Sequence, residues 1–78
     1  MEEQSDTLVG IGLRIRAVRE QRGWNQDEFA HRAGVHRSYV TQLENGRKDL
    51  RISTLYRLAE ALAIPVTDLL TGSPDAAR

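Results

Sequence analysis

Glycine, Asn-Gly or proline cuts this 78-residue chain at Gly23, Gly34, Asn45-Gly46, Pro65 and Gly72. No interval between these stops holds more than a few helical turns. Within the intervals apolar residues return every three or four positions, the spacing of one face of an α-helix. Nowhere do four or more β-branched or aromatic residues alternate with polar ones, so strands are not expected. The reading is an all-α fold, a compact bundle of five short helices. A chain of this length buries only about 60% of its unfolded surface, which leaves room for one domain over residues 7–72. The polar stretches 1–6 and 73–78 have no apolar spacing and read as disordered tails.

The first helix is expected from about Thr7 to Arg22, with Leu8, Ile11, Ile15 and Val18 as its apolar stripe. Gly10 and Gly12 weaken its start by roughly 1 kcal/mol each relative to alanine. The second runs from Gln26 to Ala33. Asn25 is its cap and Glu28 stands three residues on, the reciprocal capping-box spacing, while Trp24 and Phe29 fit a hydrophobic staple. The third begins at His36 or Arg37 and ends at Asn45-Gly46, with Val40 and Leu43 apolar and Tyr39 on the same side. A basic loop, Arg47 to Arg51, leads to a fourth helix over about Ile52 to Ala63. Its inward residues are Ile52, Leu55, Leu58, Ala59 and Leu62. Val66 to Leu70 reads as a last short helix.

The second and third segments, joined by Ala33-Gly34-Val35-His36, make a helix-turn-helix. Ala30 is small enough for the two to cross closely, Gly34 makes the turn, and Val35 and Val40 anchor the third helix. Its opposite side then carries Arg37, Ser38, Thr41 and Gln42 as an outward polar ridge. The B-DNA major groove is about 12 Å wide and admits one α-helix; arginine pairs bidentately with guanine and glutamine with adenine.

Eleven Lys/Arg balance eleven Asp/Glu, but the balance is uneven along the chain. Residues 1–13 carry −3, residues 14–51 carry +4, and residues 52–78 carry −1. A positive central face on a neutral molecule suits a polyanion partner. Cysteine is absent, which excludes disulfides and thiolate metal sites and is compatible with a reducing cytoplasm. The longest apolar run, Ala61 to Val66, is far short of the roughly 20 residues of a membrane span, and the Met1-Glu2-Glu3 start carries no signal-peptide pattern. His31 and His36 stand apart without a carboxylate or cysteine cluster, so no metal is expected. No acid–base pair, nucleophile or cofactor loop marks an enzyme, and no cofactor or small-molecule ligand is expected. Trp24 and Tyr39 read as core.

The runs Asn25-Gln26-Asp27-Glu28-Phe29-Ala30, Ala33-Gly34-Val35, Tyr39-Val40 and Leu43-Glu44-Asn45-Gly46, followed by Leu55 to Leu62, resemble the Cro/lambda-repressor-type (XRE-like) helix-turn-helix family. Arg37-Ser38-Tyr39-Val40 and Asp49-Leu50-Arg51-Ile52 are most similar to controller proteins of restriction–modification systems. The resemblance implies five helices and a homodimer on double-stranded DNA. It implies base reading by Arg37, Ser38, Thr41 and Gln42, and phosphate contacts from Gln26, His36, Asn45, Arg47 and Lys48. It also implies an ion pair between Arg19 and Glu44. Relatives commonly start the fourth helix with a small hydroxyl residue. Here Arg51 stands near that site, either as a poor cap or as a group kept for a phosphate.

Ile64, Val66, Leu69 and Leu70 are expected at the dimer contact, since so small a chain has limited core to absorb them. The leading functional expectation is a sequence-specific transcriptional regulator that acts as a homodimer on a palindromic operator; the resemblance to restriction–modification controller proteins implies that it also controls its own synthesis. The alternative is the antitoxin of a toxin–antitoxin pair, binding a toxin as well as DNA. A purely protein-binding helical domain requires the polar ridge to be solvent decoration.

Overall fold

In the computed structural model, residues 6–71 are described. They form α1 (Asp6–Gln21), α2 (Gln26–Ala33), α3 (Arg37–Glu44), α4 (Ile52–Leu62) and α5 (Thr67–Leu70), with no strand among them. The first helix takes in Asp6, which the sequence reading left in the tail. The remainder of the expected tails, residues 1–5 and 73–78, and Gly72 lie outside the described residues.

The core follows the helical periodicity. Ile11, Ile15 and Val18 of α1 meet Phe29, Ala30 and Ala33 of α2, Val40 and Leu43 of α3, Leu55, Leu58, Ala59 and Leu62 of α4, and Leu69 of α5. Ile52 departs from its expected place. It is 68% exposed, because it is the first residue of α4 and its side chain falls off the buried stripe.

Four helices end alike. After α2, Gly34 adopts the left-handed conformation (φ 72°), its N–H bonds to the His31 carbonyl at 3.2 Å, and the Val35 N–H reaches back to Ala30 O at 3.0 Å. These two bonds are the Schellman pattern, which satisfies carbonyls the helix itself leaves open. The same pair closes α1 at Gly23 and α3 at Gly46. It also closes α4 at Ala63, where an alanine takes φ 62°. The sequence reading missed that site because no glycine marks it.

Gly12 has a role its low helix propensity hides. A Cβ there would stand 2.3 Å from the Leu43 carbonyl oxygen and 3.0 Å from that of Glu44, so α1 lies directly against the backbone at the end of α3. Gly46 completes the crossing: a Cβ on it would meet the Val9 Cγ2 at 2.8 Å. Two arginines of α1 hold the C-terminal elements. Arg14 Nη1 donates to Leu69 O at 3.1 Å, and Arg22 donates to Leu62 O through Nε at 2.9 Å and also through Nη2. The Leu62 carbonyl belongs to the last turn of α4, where it lacks an intrahelical partner.

Candidate nucleic-acid interface

The start of α2 sets the frame. Asn25 Oδ1 accepts from the Glu28 N–H at 2.8 Å, half of the expected capping box. The Glu28 carboxylate lies 2.7 Å from Arg32 Nε. The staple is a stack: the Trp24 and Phe29 ring centroids are 6.4 Å apart and inclined by 16°, and the Arg32 guanidinium sits 4.4 Å from the Trp24 ring centroid. Trp24 and Tyr39 are both half-buried against the core.

On α3, Val40 and Leu43 are buried. Arg37, Ser38, Thr41 and Gln42 are exposed on the other side. Four polar side chains therefore project from one rigid helix whose back is fixed by aliphatic packing. Arg37 Nε lies 3.4 Å from Asp27 Oδ1 across the α2–α3 turn, with both side chains well exposed. A pair of this kind contributes about 0–1 kcal/mol and holds the guanidinium loosely. The sequence reading did not single out Asp27.

Behind the ridge lies a chain of polar contacts. Arg19 and Glu44 are brought together at 2.6 Å (Nε to Oε2) and 3.0 Å (Nη2 to Oε1), with 8% and 6% of their surfaces exposed. Arg19 Nη1 also donates to Trp24 O at 2.7 Å. Hydrogen bonding to Glu44 holds the Arg19 guanidinium above its ordinary pKa, against the opposing effect of burial. Gln26 Nε2 donates to Glu44 Oε1 at 3.0 Å, and Thr41 Oγ1 donates to Gln26 Oε1 at 2.8 Å. Gln26 thus links the buried ion pair to the exposed ridge.

The residues expected to touch phosphates divide into two groups. Asn45 donates its amide to Thr41 O at 2.9 Å, which satisfies the end of α3, and Arg47 is exposed beside it. His36, Lys48 and Arg51 border a cleft of about 530 Å³ together with Tyr39, Asp49 and Thr54. His36 precedes α3 and Arg51 precedes α4, and neither side chain caps its helix. Two helix N-termini, with their partial positive charge, therefore flank a cleft that also holds Lys48, whose Nζ is 5.9 Å from the Tyr39 ring centroid. Burial pushes the Tyr39 phenol above its usual pKa, and a hydrogen bond with Thr54 opposes it.

Of the residues expected at a dimer contact, Leu69 is fully buried within the monomer and has no surface to offer a partner; the α1–α5 packing covers it. Ile64 and Val66 are half-buried against the core. Leu70 is 46% exposed. Tyr56 is also exposed, on the same helix as Ile52. Among the described residues no helix is long and apolar enough to cross a membrane.

The helix-turn-helix family HTH_3 matches residues 15–69, which span all of α2–α4, the C-terminal part of α1 from Ile15 onward, and α5 as far as Leu69. The uncharacterized HTH-type transcriptional regulator y4dJ of Sinorhizobium fredii is 34% identical over 61 residues, covering 78% of this chain and 79% of its own. The restriction–modification controller protein C.AhdI of Aeromonas hydrophila has a crystal structure that superposes with a TM-score of 0.77 at 35% identity, over 80% of this chain and 94% of its own. SinR, the master regulator for biofilm formation, was solved in complex with DNA; it superposes with a TM-score of 0.75 at 32% identity, over 78% of this chain and 98% of its own.

Proposed function

Since the chain belongs to the helix-turn-helix family HTH_3, we propose that it is a sequence-specific transcriptional regulator that binds double-stranded DNA as a homodimer. The observation that carries this reading is the ridge of Arg37, Ser38, Thr41 and Gln42, exposed on a helix whose opposite face is locked into the core. In the proposed mechanism α3 enters the major groove and the ridge reads base edges. His36, Asn45, Arg47, Lys48 and Arg51 meet the phosphates on either side, aided by the uncapped starts of α3 and α4. Ile64, Val66 and Leu70 contribute to the dimer contact. Two-fold symmetry then places two half-sites about one helical turn, or roughly 34–36 Å, apart. Similarity to C.AhdI supports the narrower reading of a restriction–modification controller that regulates its own synthesis.

Selection of bound fragments from a random DNA pool tests the proposal. Enrichment of a palindrome with half-sites one turn apart supports it. Equal recovery of all sequences, or no salt-sensitive binding at low ionic strength, overturns it.

A further inference from the structure

We infer that Thr41 acts on DNA as a hydrogen-bond acceptor only, and so selects a base bearing an exocyclic amino group, adenine or cytosine, on the strand it faces. The inference rests on the proposed entry of α3 into the major groove and follows from the polar chain behind the ridge.

Both oxygens of the Glu44 carboxylate accept hydrogen bonds from the Arg19 guanidinium, which has donors only. A carboxylate only accepts hydrogen bonds, so the Gln26 group 3.0 Å from Glu44 Oε1 is its NH2. The orientation of this carboxamide is thereby settled by charge. Its carbonyl oxygen must face the other way, toward Thr41. The Thr41 hydroxyl lies 2.8 Å from that oxygen and 3.2 Å from the Arg37 carbonyl. Both neighbours are acceptors, and the hydroxyl has one hydrogen to give. Whichever of the two takes it, the hydrogen is spent inside the protein, and Oγ1 turns lone pairs outward.

In the major groove adenine N6 and cytosine N4 donate, whereas guanine N7 and O6 and thymine O4 accept. A hydroxyl held with its lone pairs outward bonds the first two and is repelled by the others. Threonine on an exposed helix face is ordinarily an indifferent reader because its hydrogen can rotate to suit either partner. Here two acceptors remove that freedom together: the Gln26 oxygen, turned toward Thr41 by the buried ion pair, and the Arg37 carbonyl. Gln26 is a positioning residue in this scheme, and Thr41 is the group that meets the base.

The experiment is random-pool selection with the wild-type chain, Thr41→Val and Gln26→Met, each first shown by thermal melting to be folded. The affinity of each is then measured for the wild-type operator with the contacted base replaced by its analogue lacking the amino group. Valine keeps the branched shape and removes only the hydroxyl. The wild type is expected to enrich adenine or cytosine at one position per half-site and to lose about three- to ten-fold in affinity on removal of the amino group. Thr41→Val should lose the preference there, keep it elsewhere, and ignore the analogue. Gln26→Met should keep the same preference but weaken it, because the nearer acceptor at 2.8 Å is gone and only the Arg37 carbonyl at 3.2 Å still holds the hydroxyl hydrogen. If the Thr41-dependent base proves to be guanine or thymine, Thr41 donates and the inference is overturned. It is equally overturned if Thr41→Val selects an unchanged motif while Arg37→Ala alters one, a result that leaves α3 as the reading helix. A wild-type chain that enriches no motif overturns the proposed function itself.

Discussion

Arg19 and Glu44, 25 residues apart in sequence, are joined by two hydrogen bonds of 2.6 and 3.0 Å across the packed α1–α3 contact. The pair fixes the end of α3 relative to α1, and through Trp24 O it also fixes the entry to α2. Truncating one partner strands the other charge in the interior, so Glu44→Ala or Arg19→Ala should cost about 3–5 kcal/mol. Replacing both by apolar residues of similar volume should recover much of the loss. Urea denaturation of the two single variants and the double variant measures the coupling; additive losses would show that the pair is not a unit.

The two glycines of α1 should respond in opposite directions. At Gly10 the nearest atom to a new Cβ is Arg14 Nη1 at 3.4 Å, an ordinary van der Waals contact. Gly10→Ala should therefore gain about 0.5–1 kcal/mol from helix propensity. At Gly12 the obstacle is main-chain carbonyl oxygen at 2.3 Å. Gly12→Ala should lose about 1–3 kcal/mol through overpacking. Parallel thermal melts of the two variants decide the point.

Ala63 holds the left-handed conformation that Gly23, Gly34 and Gly46 hold elsewhere. An L-residue in that conformation is strained by roughly 1–2 kcal/mol, and glycine relieves it while enlarging the unfolded ensemble by about 0.4–1 kcal/mol. Ala63→Gly should raise stability by about 0.5–1 kcal/mol. A lower melting temperature would contradict the assignment of strain.

Tyr39 supplies a pH dependence. Burial raises its pKa above the ordinary 10.0, so the folded chain holds this proton more tightly than the unfolded chain does. Its contribution is fully present below about pH 10 and is lost as pH rises through the folded value. Stability should fall in that alkaline window, and Tyr39→Phe should flatten the fall. Denaturant midpoints compared between pH 9 and pH 11 would read it. Arg19 is raised in the same sense, so its contribution persists through the neutral range.

Under the proposed function, two cations of the interface should behave differently. Arg37→Ala should cost about 1–3 kcal/mol and relax preference at one base step, whereas Lys48→Ala should weaken all sequences alike and reduce the salt slope by about one. Titration of operator variants at several salt concentrations separates them. A uniform loss for both variants would remove Arg37 from base reading.

The helices were legible in the sequence because their stops are chemically loud. Gly34 and Gly46 end α2 and α3 where the reading put them, and the periodic Leu55, Leu58 and Leu62 fall inward on α4. Ile52 failed because periodicity carries no information on whether a helix's first residue lies over the core. Leu69 failed because an apolar residue near a chain end looks the same whether it closes a core or meets a partner. The function of Gly12 was hidden for a related reason: its importance lies in a backbone 31 residues away. The resemblance places Gln26 at a phosphate; its protein partners, Glu44 and Thr41, carry no sequence signal because they are set by the tertiary arrangement of α1, α2 and α3. Arg14 and Arg22 carried no signal at all, since a carbonyl acceptor has no letter in the sequence.

Those two arginines also bear on how such a chain can diverge. Their acceptors are main-chain oxygens at Leu62 and Leu69, two residues whose own side chains are buried, so the contacts do not depend on the exposed side chains around them. The last two elements are thus moored to α1 by features independent of their outward side chains. Under the proposed function, positions such as Leu70 can be exchanged without unmooring the C-terminal segment, so a lineage of these domains is free to rewrite whom it pairs with while the reading head stays put.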